Sequence, residues 1–133
     1  MRVRSYQDLR VWQAGMDLVI RVYRMGKALP AAERYGLVSQ MRRAVVSIPA
    51  NIAEGHGRSH LGDKLRHLSV ANGSLKELET EVLIAVRLGY VSSKEGADFT
   101  VAAGKCGKML TCLMRSLRRH AASPATHNPP PTT

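Results

Sequence analysis

Residues 33–59 read ERYGLVSQMRRAVVSIPANIAEGHGRS, and this stretch decides the fold. Leu37, Met41, Ala44, Val45, Ile48 and Ile52 recur at spacings of three and four, which places them on one face of an α-helix and makes that face the core side. Gln40, Arg43, Ser47, Asn51 and Glu54 recur in the same rhythm beside them. A polar stripe of that regularity predicts a helix that meets water, a hydrogen-bonding neighbour or another subunit along much of its length. The spacing predicts this second helix over about 33–54, with Gly55 and Gly57 ending it. Pro49 removes the hydrogen bond to the carbonyl of Val45, so a kink is expected there; the apolar stripe continues in phase to Ile52, which argues against a break.

Working outward, a first helix is expected over about 6–28, entered through Ser5 and Asp8 in capping-box spacing and stopped before Pro30. Leu9, Trp12, Met16, Val19, Tyr23 and Gly26 form its expected buried seam. A third helix is expected over about 60–88, with Leu61, Leu65, Leu68, Leu75, Leu78 and Val82 inward and Gly89 as the residue just past its end. Gly73 and Ser74 fall in its middle, where glycine costs about 1 kcal/mol relative to alanine, so close approach of a neighbouring helix is the expected compensation. Ser92 and Glu95 open a fourth helix over about 93–119 that buries Phe99, Ala102, Cys106, either Met109 or Leu110, Leu113 and Leu117. From His120 onward, HAASPATHNPPPTT has no apolar period and predicts a disordered, Pro-rich C-terminal tail over 120–133.

All three connections are short, so consecutive helices become antiparallel neighbours. The expected fold is an all-α, up-down-up-down antiparallel four-helix bundle, one domain over 1–119. The composition agrees. One Trp, one Phe and four Tyr leave the core to aliphatic side chains, which suits helix-on-helix packing. A chain of 133 residues needs neither metal nor disulfide to stabilise such a core.

The formal net charge is +10, from twenty Lys and Arg against ten Asp and Glu. Such a balance favours polyanionic partners. Residues 99–119 hold five Lys and Arg and no acid, residues 1–27 hold six bases against two acids, and residues 59–89 balance four against four. The excess therefore sits on the first and last helices. Cys106 and Cys112 are six apart on one helix, point in different directions and read as reduced thiols. The N-terminal MRVRSYQDL lacks an apolar signal region and no apolar run reaches the roughly 18 residues of a membrane span, so a cytoplasmic protein without a membrane partner is expected.

Catalytic chemistry finds little support. His56 and His60 are four apart near Glu54, but Gly55, Gly57 and Ser59 predict a turn there, not an intact helix face. The residue three beyond each of Glu33, Glu54, Glu77, Glu79, Glu81 and Glu95 is not His, so the Glu-x-x-His pairs of di-iron bundles are missing. Glu77 and Glu81 share a face and are expected to pair with Arg42 or Arg43, or with a neighbouring subunit's arginines, while Glu79 points elsewhere. No nucleophile elbow, P-loop or dinucleotide fingerprint occurs. No metal, no cofactor and no enzymatic activity are expected.

Several blocks carry a family resemblance: Asp8-Leu9 with Val11-Trp12-Gln13, Val22-Tyr23, Pro30 with Glu33, Tyr35-Gly36-Leu37, Gln40 with Arg42-Arg43-Ala44, residues 47–55 as SIPANIAEG, and Gly73-Ser74 followed by Glu77-Leu78-Glu79. In this order and spacing, over about residues 6–91, the chain resembles the four-helix-bundle proteins encoded within intervening sequences of 23S ribosomal RNA genes. That family is distantly related to the accessory proteins of diversity-generating retroelements. Tyr6 stands where Phe is usual and His67 where an aromatic often precedes the leucine. The resemblance implies a cyclic homopentamer and, through the retroelement branch, a reverse transcriptase as the runner-up partner.

Two binding readings follow. In one, Arg10, Arg21, Arg24, Lys105, Lys108, Arg115, Arg118 and Arg119 contact the phosphates of RNA or DNA with little sequence preference, since no aromatic residues interleave to stack bases. In the other, Gln40, Arg42, Arg43, Ser47, Asn51, Glu54, Ser74, Glu77 and Glu81 form a polar network or a subunit contact, helped by the small residues Gly73, Ala102, Ala103, Gly104 and Gly107, and the protein is an interaction scaffold.

Overall fold

The computed structural model describes residues 3–122. Four α-helices account for most of them: α1 (Arg10–Gly26), α2 (Leu37–His56), α3 (Leu61–Arg87) and α4 (Ser93–Ala122), with short 3-10 turns at Tyr6–Asp8 and Ala31–Glu33. Consecutive helices pack on one another, α4 closes against α1, and the diagonal pairs do not approach, so the helices stand in a square. The cross-contacts run in opposite directions at every side. Gly15 faces Ile48 and Gly26 faces Val38; Ser47 meets Ser74 and Asn51 meets His67; Gly96 faces Val86 and Gly107 faces Leu75. This is the up-down-up-down antiparallel bundle expected from the connections.

All six apolar residues that set the phase of α2 are buried, with Met41, Val45, Ile48 and Ile52 fully so. The helix continues unbroken through Pro49. Its ends differ from expectation. The helix begins at Leu37 and not Glu33; Glu33 sits in the preceding turn, where its Oε1 accepts a hydrogen bond from the Leu37 backbone N–H at 3.2 Å. The other carboxylate oxygen accepts from the Tyr90 hydroxyl at 3.2 Å, tying the start of α2 to the α3–α4 connection. Gly55 does not end the helix but lies buried inside it.

The entry to α1 also differs. Ser5 and Asp8 form the expected capping box, but it closes the turn Tyr6–Asp8, and Leu9 then runs extended before the α-helix starts. Leu9 is half-buried at the end of the bundle beside Ile52, Leu68, Leu113 and Leu117, while the Tyr6 ring meets Trp12 edge-on at 5.4 Å. Bending the chain at Leu9 lets this segment cover the open end of the core.

The seam of α1 is rotated from the expected one. Val11, Gly15, Leu18, Val22, Met25 and Gly26 are buried; Leu9, Trp12 and Val19 flank them, and Met16 and Tyr23 are 38% and 40% exposed. Apolar residues cover so much of this helix that spacing alone admits either phase. Packing against α2 settles it: Gly15 faces Ile48 and Pro49, and a Cβ there would lie in ordinary contact, 3.4 Å from both Ile48 Cγ2 and Pro49 Cδ.

In α3 the expected inward residues Leu68, Leu75, Leu78 and Val82 are buried, with Leu61 and Leu65 half-buried. Gly73 departs from expectation: it is exposed, and nothing lies near the position a Cβ would take, so no neighbouring helix compensates its cost. The helix ends as expected, with Gly89 at φ 80°, Tyr90 N–H donating to the Ala85 carbonyl and Val91 buried behind it. In α4, Ser92 Oγ accepts from the Glu95 N–H at 3.1 Å. Phe99, Ala103, Cys106 and Leu110 are buried, so Leu110 and not Met109 is the core residue, Ala102 is only half-buried and Ala103 is withdrawn from any outer surface. The helix runs three residues past the expected end at 119, because residues 120–122 keep helical geometry; the remainder of the expected tail lies outside the described residues.

Two glycine substitutions separate packing from propensity. Gly73→Ala, exposed and unhindered, raises stability by about 0.5–1 kcal/mol. Gly55→Ala lowers it by about 1–3 kcal/mol, because its Cβ would lie 3.0 Å from His67 Cβ and 3.2 Å from the Lys64 carbonyl. Urea unfolding followed by circular dichroism at fixed protein concentration checks both signs.

Candidate functional site

The inner part of the α2 polar stripe becomes a hydrogen-bonded chain against α3. Ser74 Oγ donates to Ser47 Oγ at 2.8 Å. Asn51 Nδ2 donates to the Ser47 carbonyl at 2.9 Å and to Ser47 Oγ at 3.0 Å, which turns Asn51 Oδ1 toward His67 Nδ1 at 3.1 Å. Because Oδ1 can only accept, Nδ1 carries a proton and donates. Glu54 Oε2 lies 3.6 Å from the same nitrogen at the exposed end of the chain. His67 is buried, and its Nε2 has no partner among the described residues. The sequence pointed to Ser47, Asn51, Ser74 and Glu54 through their helical spacing. It missed His67, whose position in the inward stripe of α3 was the available signal.

Gln40, Arg43, Ser47, Ser74 and Glu77 line an open polar groove farther along the same helix pair. Glu81 follows Glu77 by one turn, is only 4% exposed, and has one carboxylate oxygen without a hydrogen-bond partner. Burial first, then the negative charge and hydrogen bonding of Glu77, push its carboxyl up to about 7. The expected ion pairs with Arg42 or Arg43 are not made within the chain among the described residues. Arg42 instead turns to the other side of α2, where its guanidinium lies 4.6 Å from the Tyr23 ring centre and beside Gly26. A planar cation gains more by covering an aromatic face there than by reaching around the helix to α3.

All eight candidate phosphate-contacting residues are exposed, and none makes an ion pair with a described carboxylate. The fold divides them. Arg21 lies with Lys105, Asp17 and Asp98 along the α1–α4 groove, and Arg24 with Glu95 near Phe99, so acids stand among these cations. Lys108 and Arg115 lie along the α3–α4 groove with Lys76, Asn72 and Thr111 and no acid in its lining. Arg10, Arg118 and Arg119 border none of these grooves. Lys76 was missed because the charges of α3 sum to zero, which concealed where each one points. Cys106 is buried, and burial pushes its thiol up to about 11; Cys112 is exposed at the α3–α4 groove. Neither cysteine is in a disulfide.

Among the described residues, no group of three His, Cys, Asp or Glu side chains is placed to hold a metal ion, and no helix is long and apolar enough to cross a membrane. His56 ends α2 and His60 caps α3, on either side of the turn between them.

Residues 7–112 match the family model described as 23S rRNA-intervening sequence protein. The chain belongs to that family. No curated protein matches it. A solved structure of similar fold is the protein of unknown function from the S23 ribosomal protein family of Bacteroides thetaiotaomicron, with a TM-score of 0.72 and 20% sequence identity, covering 79% of this chain and 98% of that one. Within the matched region, the block SIPANIAEG supplies Ser47 and Asn51 to the polar chain, Ile48 and Ile52 to the core, and Gly55 to the contact with α3. Arg115, Arg118 and Arg119 lie beyond the matched region.

Two outcomes test these polar groups. Asn51→Ala strips the partner from His67 Nδ1 inside the bundle and lowers stability by about 1–3 kcal/mol, measured by denaturant unfolding against Ser69→Ala on the exposed face. For Glu81, the folded value near 7 stands above the ordinary 4.5. Between those values the folded protein keeps a proton that the unfolded chain has lost, so stability falls as pH rises from about 4.5 to about 7 and stays lower beyond. Glu81→Gln removes that loss and is more stable than the parent at pH 8 by on the order of 2 kcal/mol, with little difference at pH 4.

Proposed function

We propose that this protein is a non-enzymatic, self-associating basic bundle that binds nucleic acid through charge. The observation that carries this reading is the set of exposed Lys and Arg residues on α1 and α4 that no described carboxylate pairs with. Unpaired surface cations release condensed counterions when they meet a phosphate backbone, and that release supplies affinity with little regard to sequence. The same surfaces offer no convergent acid–base pair in a closed cleft, as catalysis would need.

Self-association is supported by a second surface. Met16, Ile20 and Tyr23 are spaced four and three apart on α1 and remain 38%, 49% and 40% exposed, with Val46 of α2 at 44%. An apolar strip of this kind is covered at lower free energy by another subunit than by water. The family resemblance argues for a ring of five, which would multiply the positive field.

Light scattering after size exclusion, with and without a mixed RNA and DNA pool, tests the whole reading. A mass five times that of the chain, and a heavier complex that dissociates between about 50 and about 200 mM salt, are expected. Ile20→Glu is expected to reduce the assembly to monomers. A ring that ignores nucleic acid would contradict the binding half and favour a protein partner, such as the reverse transcriptase implied by the retroelement branch; a monomeric parent would contradict the assembly half.

A further inference from the structure

The proposed nucleic-acid binding rests on eight cations taken together, yet their surroundings differ enough to separate them. Around Arg21, Arg24 and Lys105 the groove walls carry Asp17, Glu95 and Asp98. An approaching phosphate there meets alternating signs, and the field of each arginine is partly cancelled at the range over which surface charges act. Along the α3–α4 groove the walls carry Lys76, Lys108 and Arg115 and no acid. The nearest compensation is Glu79, whose Oε1 lies 3.6 Å from Lys76 Nζ; the lysine is 65% and the glutamate 26% exposed, so this pair cancels part of the lysine's charge and none of that of Lys108 or Arg115.

The floor and reach of this groove also suit a phosphate chain. Gly104 has no atom within 4 Å of where a Cβ would sit, so backbone can be approached closely there. Lys108 and Arg115 are seven residues apart on one helix, which sets them about 10 Å apart along its axis. That matches the rise of about three base pairs along the axis of a duplex. Asn72 adds an amide donor that makes no hydrogen bond within the bundle. No aromatic side chain lines the groove, so unpaired bases would gain nothing by stacking, while a duplex brings twice the charge per unit length.

We infer that the α3–α4 groove, through Lys76, Lys108 and Arg115, is the surface that holds the phosphodiester backbone of a double-stranded nucleic acid, and that Arg21 and Arg24 of α1 are not. The inference depends on the nucleic-acid reading above and narrows it to one face and one class of partner. The exposed Cys112 lies in this groove while the other thiol, Cys106, is buried, so the protein carries its own footprinting probe.

The test uses the full chain with RNA and DNA duplexes of about 20 base pairs and a single strand of the same sequence, at about 50 to about 200 mM salt. The paired substitution Lys108→Ala with Arg115→Ala is expected to weaken duplex binding at least tenfold and to reduce the slope of log affinity against log salt by about 1–2. Arg21→Ala with Arg24→Ala is expected to change affinity less than threefold. Duplex is expected to slow maleimide modification of Cys112 and to outcompete the single strand. RNA and DNA duplexes binding alike would mark the backbone as the ligand; preference for one would name the source within the same groove. If the parent binds but only the α1 pair weakens it, or Cys112 stays fully reactive in the complex, the groove assignment is overturned and the general reading survives. If Cys112 is unreactive in the free assembly, another subunit covers the groove and the assignment is again overturned. If the parent binds no nucleic acid at any salt, both fail together.

Discussion

The contact between α2 and α3 constrains everything else in this bundle. Gly55 brings the two backbones together, and the chain Ser74–Ser47–Asn51–His67 fixes their register from within a largely apolar interface. Apolar packing tolerates a shift by one helical turn at modest cost, whereas a shift here would strand the Asn51 amide and the His67 nitrogen without partners. With α2 and α3 locked, α1 and α4 pack along the two remaining sides, and the direction each of their residues faces is settled by that frame. Pro49 fits within this arrangement, since its ring packs against the bare backbone at Gly15.

The surface charge follows from the same placement. The α3 helix, which supplies Ser74 and His67 to the polar register, carries balanced charges, while α4 carries only cations from Phe99 onward through Arg119. Packing α4 beside α3 sets Lys108 and Arg115 next to Lys76, and packing α1 on its other side sets Arg21 and Arg24 next to the acids at the start of α4. A net charge of +10 is thus distributed by the fold into one groove lined by a single sign and another of mixed sign. The buried carboxyl of Glu81 is the opposite case, a group that makes no ion pair with any described cation and whose carboxyl, pushed up to about 7, is only partly ionised at neutral pH.

Much of this was legible in the sequence. The phase of α2 was readable because its stripe is strict, and the end of α3 because Gly89 can take the left-handed backbone that closes a helix. The phase of α1 was not, since apolar residues cover most of that helix and only packing in the bundle selects one side, with Val11, Gly15, Leu18, Val22 and Met25 turned inward. Leu9 could not be recognised as a break, because nothing local distinguishes an extended leucine from a helical one when its reason is a pocket formed by residues 52, 68, 113 and 117. The polar stripe was visible as a stripe, but its division into a buried chain through Ser47 and Asn51 and an open groove at Gln40 and Arg43 depends on α3. Likewise the basic groove needs two helices, and neither α3 nor α4 announces it alone.

Amide hydrogen exchange on the protein with and without a nucleic-acid duplex tests the central claim that a locked α2–α3 pair presents the α3–α4 groove to the phosphate backbone. The account predicts that the slowest amides of the free protein lie around residues 44–55 of α2 and 67–82 of α3, and that duplex adds protection over residues 104–115 of α4 and around Lys76. Duplex-induced protection confined to α1, or faster exchange in the α2–α3 pair than in α1 and α4, would contradict it.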